Sequence, residues 1–365
     1  MPEMSRIHPY YAWQAREGLP IHNQFSVPDL RTAEVKPWDR VGGNGAFVSL
    51  GTKPGHDTGH YLVEIPARGA LKPMRHMFEE MVYVVSGRGA TTVWNEGYPK
   101  RMFEWGPGSL IAVPLNAWHQ HFNNGEEPVR LLSHNNAPSM MAIFKSERFL
   151  WDNPFVFEER YQGDNDYFNG EGKLGPGRTW ETNFVPDTRT LALQEWTERG
   201  AGGLNVMLRM ANSVLNSHIS QFPVGTYKKS HVDPEAKGRD PGGGAHVLIL
   251  NGVGFTLVWE PGDTDFQRID WQANSLIVAP RGWYHQHFNT GPTPARYLAL
   301  RQDQETNYGK SRSFADVSER EGGGQVEYQD ENPQIHRIFE ADLQRHEVTC
   351  AMERLSPFCS AAVPV

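Results

Sequence analysis

Cysteine is scarce in this sequence, and long apolar runs are missing from it. The two cysteines, Cys350 and Cys359, lie near the C-terminal end, which excludes the disulfide framework that stabilises small secreted domains. No apolar stretch reaches the length that crosses a bilayer, and the N-terminal residues lack the apolar core of a signal peptide. These absences predict a cytoplasmic protein without a membrane-bound segment.

Positive charge is also in short supply. The 365 residues contain 35 Lys and Arg against 43 Asp and Glu, for a formal net charge of −8, and no basic stripe is present. This balance argues against nucleic acid as the main partner. The chain is long enough to form two domains, each with a full hydrophobic core.

What the sequence does contain is a repeat. Residues 118–123 read Trp-His-Gln-His-Phe-Asn, and residues 284–289 read Tyr-His-Gln-His-Phe-Asn. Each copy follows a similar apolar run, Ser-Leu-Ile-Ala-Val-Pro at 109–114 and Ser-Leu-Ile-Val-Ala-Pro at 275–280. Because the matched segments are separated by one constant offset, we predict a duplicated structural unit. Short β-branched runs between Gly and Pro residues indicate a sandwich or barrel.

The repeat divides the chain into five predicted parts. We expect two β domains joined by a packed connection, preceded by an extended arm that covers the other domain or another subunit, and followed by a short polar helix and a tail. The predicted ranges are 1–45 for the arm, 46–144 for the first domain, 145–199 for the connection, 200–312 for the second domain, and 313–365 for the C-terminal helix and tail.

Both copies carry residues that resemble the two sequence signatures of the cupin family. In the first copy these are Gly69, His76, Glu80 and Gly87, then Gly108, Pro114, His119 and Asn123; in the second they are Gly225, His231 and Gly252, then Pro280, Gly282, His285 and Asn289. The resemblance implies an all-β bicupin with two tandem jelly-roll β-barrels. The Trp-His-x-His ending resembles that of gentisate and 1-hydroxy-2-naphthoate dioxygenases, which use Fe(II) and O₂ to cleave aromatic rings.

The first copy provides a candidate metal site at His76, Glu80 and His119. Two imidazoles and one carboxylate suit Fe(II) and leave coordination positions open for a substrate and O₂. His121 lies on the same side of its strand as His119, because side chains alternate along a strand. It is either a fourth ligand or a donor behind the ligands. Met74 occupies the place of the first cupin histidine, and a thioether does not replace that imidazole for iron.

The second copy provides a competing site. His231, His246 and His285 would form a set of three imidazoles, with His287 nearby. Asp233 takes the place of a cupin histidine, and the carboxylate position falls near Ala245 and His246, where an insertion leaves the register open. In either copy, the histidines also fit a hydrogen-bonded core without any metal.

The resemblance implies a non-heme Fe(II) dioxygenase that acts on a small aromatic, hydroxylated substrate, and a homodimer or larger homo-oligomer. One alternative is a cupin isomerase, hydrolase or lyase that uses Mn, Zn or Ni. Another is a regulatory cupin that binds a small molecule without catalysis. Arg130 and Arg296 recur at equivalent places and are interpreted as members of structural ion pairs, with binding of a substrate carboxylate as the alternative.

Overall fold

The computed structural model describes residues 7–51, 57–232, 244–302 and 314–359. Asp233 and most of the predicted insertion therefore lie outside the described residues. Within the described ranges, every helix is too short or too polar to cross a bilayer.

The first barrel has eight strands in two sheets. The strand bounds are β4 Gly43–Val48, β5 Gly59–Ile65, β6 Glu80–Ser86, β7 Gly89–Trp94, β8 Arg101–Trp105, β9 Leu110–Val113, β10 Trp118–Phe122 and β11 Val129–Asn135. Five of these strands lie in the order β4-β5-β11-β6-β9, and the other three lie in the order β10-β7-β8.

The second barrel repeats this arrangement, as the duplication predicts. Its strand bounds are β16 Leu204–Met210, β17 Leu215–Phe222, β18 His231–Val232, β19 Ala245–Asn251, β20 Val253–Trp259, β21 Gln267–Gln272, β22 Leu276–Ala279, β23 Tyr284–Asn289 and β24 Ala295–Gln302. Its two sheets run in the orders β16-β17-β24-β19-β22 and β18-β23-β20-β21.

Equivalent glycines end the matching strands β6 and β19. Gly87 and Gly252 both have positive φ, 82° and 102°. A Cβ at Gly87 would lie 2.5 Å from a Val129 side-chain atom, and one at Gly252 would lie 2.9 Å from the Ala295 backbone. The same turn therefore occurs in both barrels. Both copies require glycine, because φ is positive and because the neighbouring strand of the sheet, β11 or β24, lies so close.

In the described residues, the segments outside the barrels contain short strands and four α-helices. Their bounds are α1 Pro9–Glu17, β1 Ile21–His22, β2 Ser26–Val27, β3 Lys36–Trp38, α2 Ala137–Phe144, α3 Glu147–Trp151, β12 Lys173–Gly175, β13 Thr179–Thr182, β14 Phe184–Val185, β15 Gln194–Glu195 and α4 Pro333–Arg345. Helix α4 lies within the predicted C-terminal helix. Helix α1 is an addition to the predicted extended arm: Pro9 starts it, and Gly18 in a left-handed conformation ends it.

The arm and the connection are exchanged between the barrels. Strand β2 of the arm pairs with β22 of the second barrel, whereas β14 of the connection pairs with β9 of the first. A repeated motif begins at the last residue of each of these two strands. It reads Val-Pro-Asp-Leu-Arg-Thr at 27–32 and Val-Pro-Asp-Thr-Arg-Thr at 185–190. The β2 part of the arm thus covers the other domain of the same chain, one of the two arrangements expected from the sequence, while β1 pairs with β4 of the first barrel.

Arg130 and Arg296 hold these exchanged segments in place. Arg130 donates to the carbonyls of Leu30 and Ala33 and pairs with Glu64 at 2.9 Å. Arg296 donates to the carbonyls of Thr188 and Leu191. Arg130 therefore makes the structural ion pair predicted for it, whereas Arg296 is held through backbone carbonyls instead.

A shared hydrophobic core joins the two barrels. On β6, Met81 and Tyr83 face this shared core, while Val82 and Val84 face the interior of the first barrel. Leu248 on β19 faces the shared core. Leu208 on β16 and Leu298 and Leu300 on β24 face it as well. The alternation of strand side chains thus fixes which residues line each barrel and which lie between the barrels.

Candidate metal centre

Three predicted ligands meet inside the first barrel. His76 lies in the loop before β6, Glu80 is the first residue of β6, and His119 lies in β10. All three are buried, with relative exposures of 2%, 4% and 1%. Because Glu80 has the same strand parity as Val82 and Val84, its side chain points into the barrel toward the two histidines.

The ligand atoms converge on one point. Glu80 Oε2 lies 3.3 Å from His76 Nε2 and 3.8 Å from His119 Nε2. His76 Nδ1 donates to the carbonyl of Phe78 at 2.8 Å, and His119 Nδ1 donates to the carbonyl of Ala117 at 3.1 Å. These bonds place the proton of each ring on Nδ1, so both Nε2 lone pairs face the carboxylate.

The second oxygen of Glu80 is anchored from behind. Tyr61 and Ser133 both donate their hydroxyls to Oε1, which leaves Oε2 directed at the histidines. Burial opposes ionisation of this carboxyl, but the close approach of His76 and His119 holds the pKa of Glu80 well below its usual range. The carboxylate is therefore charged in a buried site.

An ionised carboxylate and imidazole lone pairs repel one another unless a cation lies between them. Burial, with His76 nearby, lowers the pKa of His119 to about 3, so its imidazole is neutral near pH 7. His119 Nε2 is buried and makes no hydrogen bond. The three residues fit a divalent metal, since two neutral imidazoles and one carboxylate form the donor set of non-heme iron sites.

His121 points into the same barrel, but its tautomer differs from that of His119. The Thr91 hydroxyl lies 2.6 Å from His121 Nδ1 and accepts a hydrogen bond from Trp105 Nε1 at 2.8 Å. The hydroxyl proton is thereby directed to Nδ1, which leaves the proton of the ring on Nε2. This geometry favours His121 as a hydrogen-bond donor over a fourth ligand.

A small apolar cavity adjoins the ligands. Its volume is about 20 Å³, and it is lined by Val41, Tyr61, Val63, Leu71, Met74, Glu80, Val82, His119, His121, Leu131 and Ser133. This volume holds about one water-sized group, so an aromatic ring enters only if a side chain of the wall moves. Met74 is half-buried and flexible, so it is the wall residue best suited to move.

The second barrel keeps two of its predicted ligands together. His231 pairs in register with His285, and their ring centroids are 4.0 Å apart. Ala245, the first residue of β19, occupies the place that Glu80 has in β6. Among the described residues, the His231–His285 pair has no third ligand atom close enough to complete a metal-binding group.

The charges around this second pair are also unlike those in the first barrel. Burial, then Arg199 and His285, keep the pKa of His231 well below its normal value. Burial, then His285 and Lys228, do the same for the pKa of His287. Cationic side chains near the imidazoles disfavour a further positive ion, whereas Glu80 in the first barrel attracts one.

His246 does not join His231 and His285, so the predicted set of three imidazoles is wrong. Its ring lies against His60 of the first barrel, with centroids 4.0 Å apart. Ala245 and Val247 face the interior of the second barrel, and neighbouring residues of a strand point to opposite faces. His246 consequently lies between the barrels. Ala245 is the inward-facing residue at the carboxylate position, and this answers the question of register that the insertion left open.

His287 repeats the environment of His121. The Thr256 hydroxyl lies 2.7 Å from His287 Nδ1 and accepts from Trp271 Nε1 at 3.0 Å. The Thr–His–Trp arrangement therefore belongs to the duplicated scaffold and exists with or without a carboxylate. Reasoning from the sequence missed Thr91 and Thr256, as well as Tyr61 and Ser133, although the two threonines and the tryptophans that bond them recur in both copies.

The first barrel matches a known family directly. Residues 61–135 match the model of the Cupin domain, and the strand order and paired glycines of this barrel recur in the second. The chain has the two-domain cupin fold. In this bicupin the matched segment contains all four predicted ligands of the first barrel.

Two further comparisons concern individual proteins. The bicupin is 34% identical over 74 residues to 5-aminosalicylate 1,2-dioxygenase from Comamonas sp, and this match spans 20% of the chain and 18% of that relative's length. Oxalate decarboxylase from Bacillus subtilis at pH 4.6 is a solved structure with 14% identity and a TM-score of 0.49, with 76% of each chain covered. Another solved structure of oxalate decarboxylase aligns with 14% identity and a TM-score of 0.48, over 76% of this chain and 77% of that one.

Proposed function

We propose that this bicupin is a metal-dependent enzyme whose first barrel binds Fe(II) through His76, Glu80 and His119. The observation that supports this most directly is the convergence of two Nε2 atoms and one carboxylate oxygen in a buried, hydrogen-bonded site. Three protein ligands on one side of an ion leave the remaining positions open, as oxygenase chemistry requires.

The reaction we propose is ring cleavage of a small aromatic, hydroxylated substrate by O₂. The matched segment of 5-aminosalicylate 1,2-dioxygenase supports this class of reaction. When bound, Fe(II) supplies the redox chemistry that O₂ needs to react with an aromatic ring. In the described part of the chain, neither Lys nor Arg lines the cavity, so the metal cation is the natural counter-charge for a phenolate or carboxylate of the substrate.

The protein residues have distinct proposed tasks. Glu80 keeps a negative charge at the site because Tyr61 and Ser133 hold its other oxygen. His121 offers Nε2–H to an oxygen atom of the reactants, since Thr91 occupies its Nδ1. The aliphatic wall excludes water from the reacting groups.

The test is oxygen uptake by protein loaded anaerobically with Fe(II), across a panel of hydroxylated aromatic acids that includes 5-aminosalicylate. We expect oxygen consumption together with loss of the aromatic absorbance of one panel member. Loading with Mn, Zn or Ni should give no oxygen uptake. Substrate turnover with one of these metals and no oxygen consumption would instead indicate an isomerase, hydrolase or lyase.

Matched variants locate the site. His119→Ala should lose the bound iron and the activity, whereas His285→Ala should keep both, because the second barrel has no equivalent of Glu80. Loss confined to His285→Ala would move the active site to the second barrel. Retention of metal in both variants would leave the barrels as binding modules.

A further inference from the structure

A second group of potential metal ligands lies outside both barrels. It consists of His336 and Glu340, one turn apart on helix α4, and Cys350 and Cys359 in the segment that follows. One ligand atom from each of the four lies within 4.8 Å of all the others. No residue of this group belongs to the site in the first barrel.

The ring of His336 is oriented as a metal ligand would be. Its Nδ1 lies 3.0 Å from the Tyr227 hydroxyl, which in turn donates to Glu331. The ring proton therefore lies on Nδ1, and Nε2 carries a lone pair. A bond from the outer ring nitrogen to a polar partner is the usual support of a metal-bound histidine.

The inward nitrogen of this ring faces a carboxylate oxygen. His336 is fully buried, with 0% exposure, and its Nε2 makes no hydrogen bond. This atom is directed toward Glu340 Oε1, 3.3 Å away. A buried lone pair facing a carboxylate oxygen is unfavourable without a cation between the two atoms.

The two sulfur atoms lie near the spacing of metal ligands. Cys350 Sγ and Cys359 Sγ are 3.3 Å apart, longer than the roughly 2.05 Å of a disulfide bond. Ligand atoms at the corners of a tetrahedral zinc site are separated by about 3.3–3.8 Å, given Zn–S bonds of about 2.3 Å and Zn–N bonds of about 2.0 Å. The His336–Glu340 pair matches the lower value, which applies to nitrogen and oxygen ligands, and the sulfur pair lies about 0.5 Å closer than the upper value, which applies to two sulfurs.

We propose that His336, Glu340, Cys350 and Cys359 bind a zinc ion. Thiolate ligands together with imidazole select zinc over the harder ions that suit the first barrel. Four protein ligands fill a tetrahedral shell, so this zinc is structural and leaves no position open for a substrate. Cys350 and Glu340 are partly exposed, which gives the ion a path of entry.

The position of the site indicates what the zinc would hold together. Helix α4 packs on the second barrel through Phe339, which contacts Tyr227 and Phe288. The following segment is tied to the same barrel by a bond from Ala351 N to the carbonyl of Gly225 at 2.8 Å. Zinc would fasten the segment to the helix, so that both cover one side of the second barrel.

The experiment measures zinc per chain in protein purified under reducing conditions. We expect one zinc in the parent protein and its loss both in the Cys350→Ser/Cys359→Ser double variant and in His336→Ala. His346→Ala at the end of the same helix is the control, and it should keep the zinc. His119→Ala should also keep it, which separates this site from the proposed iron site.

Cobalt substitution tests the site without a variant that risks misfolding. Co(II) added to zinc-depleted parent protein should produce a sulfur-to-cobalt charge-transfer band and the visible bands of tetrahedral cobalt. Zinc added afterwards should remove these bands and slow the alkylation of both cysteines by N-ethylmaleimide. Absence of the charge-transfer band, or equal alkylation rates with and without zinc, would overturn the proposal, as would a zinc content that is unchanged in the double cysteine variant.

Discussion

Met74 and His231 occupy equivalent positions in the two barrels, and each is paired across the sheet with a histidine of its own barrel. Met74 bridges to His119, and His231 pairs with His285. His231 thus keeps the first cupin histidine, whereas the first barrel keeps the carboxylate, Glu80. Each barrel thus has only some of the cupin ligands. The first barrel, which has the carboxylate, is the one suited to a divalent cation.

Restoring the missing imidazole should strengthen metal binding in the first barrel. In Met74→His, we expect Fe(II) to bind at least about tenfold more tightly, a gain of about 1.4 kcal/mol, because a fourth ligand joins the existing three. Chelator competition measures this change. Met74→Leu is the control, which preserves the apolar wall, and equal affinity in the two variants would contradict the placement of Met74 beside the ligands.

Glu80 and its neighbour in the chain, Glu79, allow a second pair of variants to be compared. Glu80→Gln removes the charge that attracts the cation, so metal content should fall more than tenfold. Glu79 points the other way: it pairs with Arg160 at 2.7 Å and accepts from Ser213 and from the backbone of Val214. Glu79→Gln should keep the metal but cost about 3 kcal/mol of unfolding free energy. Metal analysis and urea unfolding of both variants would distinguish these roles, and metal loss in Glu79→Gln would refute them.

The tautomer of His121 can be tested through Thr91. In Thr91→Val the hydroxyl that occupies Nδ1 is lost, so His121 no longer holds its proton on Nε2. We expect turnover to fall by about tenfold or more, since positioned proton donors contribute on the order of 100-fold, while iron content is unchanged. The pH–rate profile should shift as well.

The duplicated scaffold provides the control for that change. Thr256→Val removes the same hydroxyl beside His287 in the second barrel. If the reaction takes place in the first barrel, this variant should keep the turnover and pH profile of the parent protein. A similar loss of turnover in both variants would mean that the threonines serve folding and not catalysis.

The sequence predicted the barrels well because the motif that defines them is local. The repeated His-Gln-His-Phe-Asn segments form strands β10 and β23, and alternation alone put His119 and His121 on one side. The carboxylate of the first barrel was identified for the same reason, since only three residues separate His76 from Glu80. Short separations leave little freedom in the register.

What the sequence could not predict depends on distant segments. His246 lies between the barrels because its strand neighbours Ala245 and Val247 fill the interior, and an insertion before β19 obscured that parity. The exchanged strands β2 and β14 each lead into a copy of a Val-Pro-Asp motif. The two copies of this motif are separated by a different number of residues from the two copies of the histidine motif. The cluster at Cys350 and Cys359 exists because the chain folds back onto α4, which no spacing rule reveals.

The misplaced His246 leads to a prediction about acid stability. His60, His134 and His246 form a buried group between the barrels: His134 Nδ1 lies 2.9 Å from His60 Nε2, and the His246 ring lies against that of His60. Burial lowers the pKa of His134 to about 4, and burial together with His134 lowers the pKa of His246 to about 3. In the unfolded chain both groups titrate near their ordinary pKa of about 6.5.

Between about pH 6.5 and the lower pKa values of the folded state, the unfolded state binds more protons than the folded state. The stability contributed by neutral His246 is therefore complete above about pH 6.5 and is lost as the pH falls toward 3. Between pH 7 and pH 5 we expect a loss of about 2 kcal/mol from this one imidazole, given a shift of this size. Urea unfolding of the parent protein and of His246→Leu at both pH values measures the difference, and the variant should lose about 2 kcal/mol less than the parent on acidification. His22→Gln, on the partly exposed arm, is the control and should follow the parent. Equal acid sensitivity of His246→Leu and the parent would show that His246 is not held neutral between the barrels.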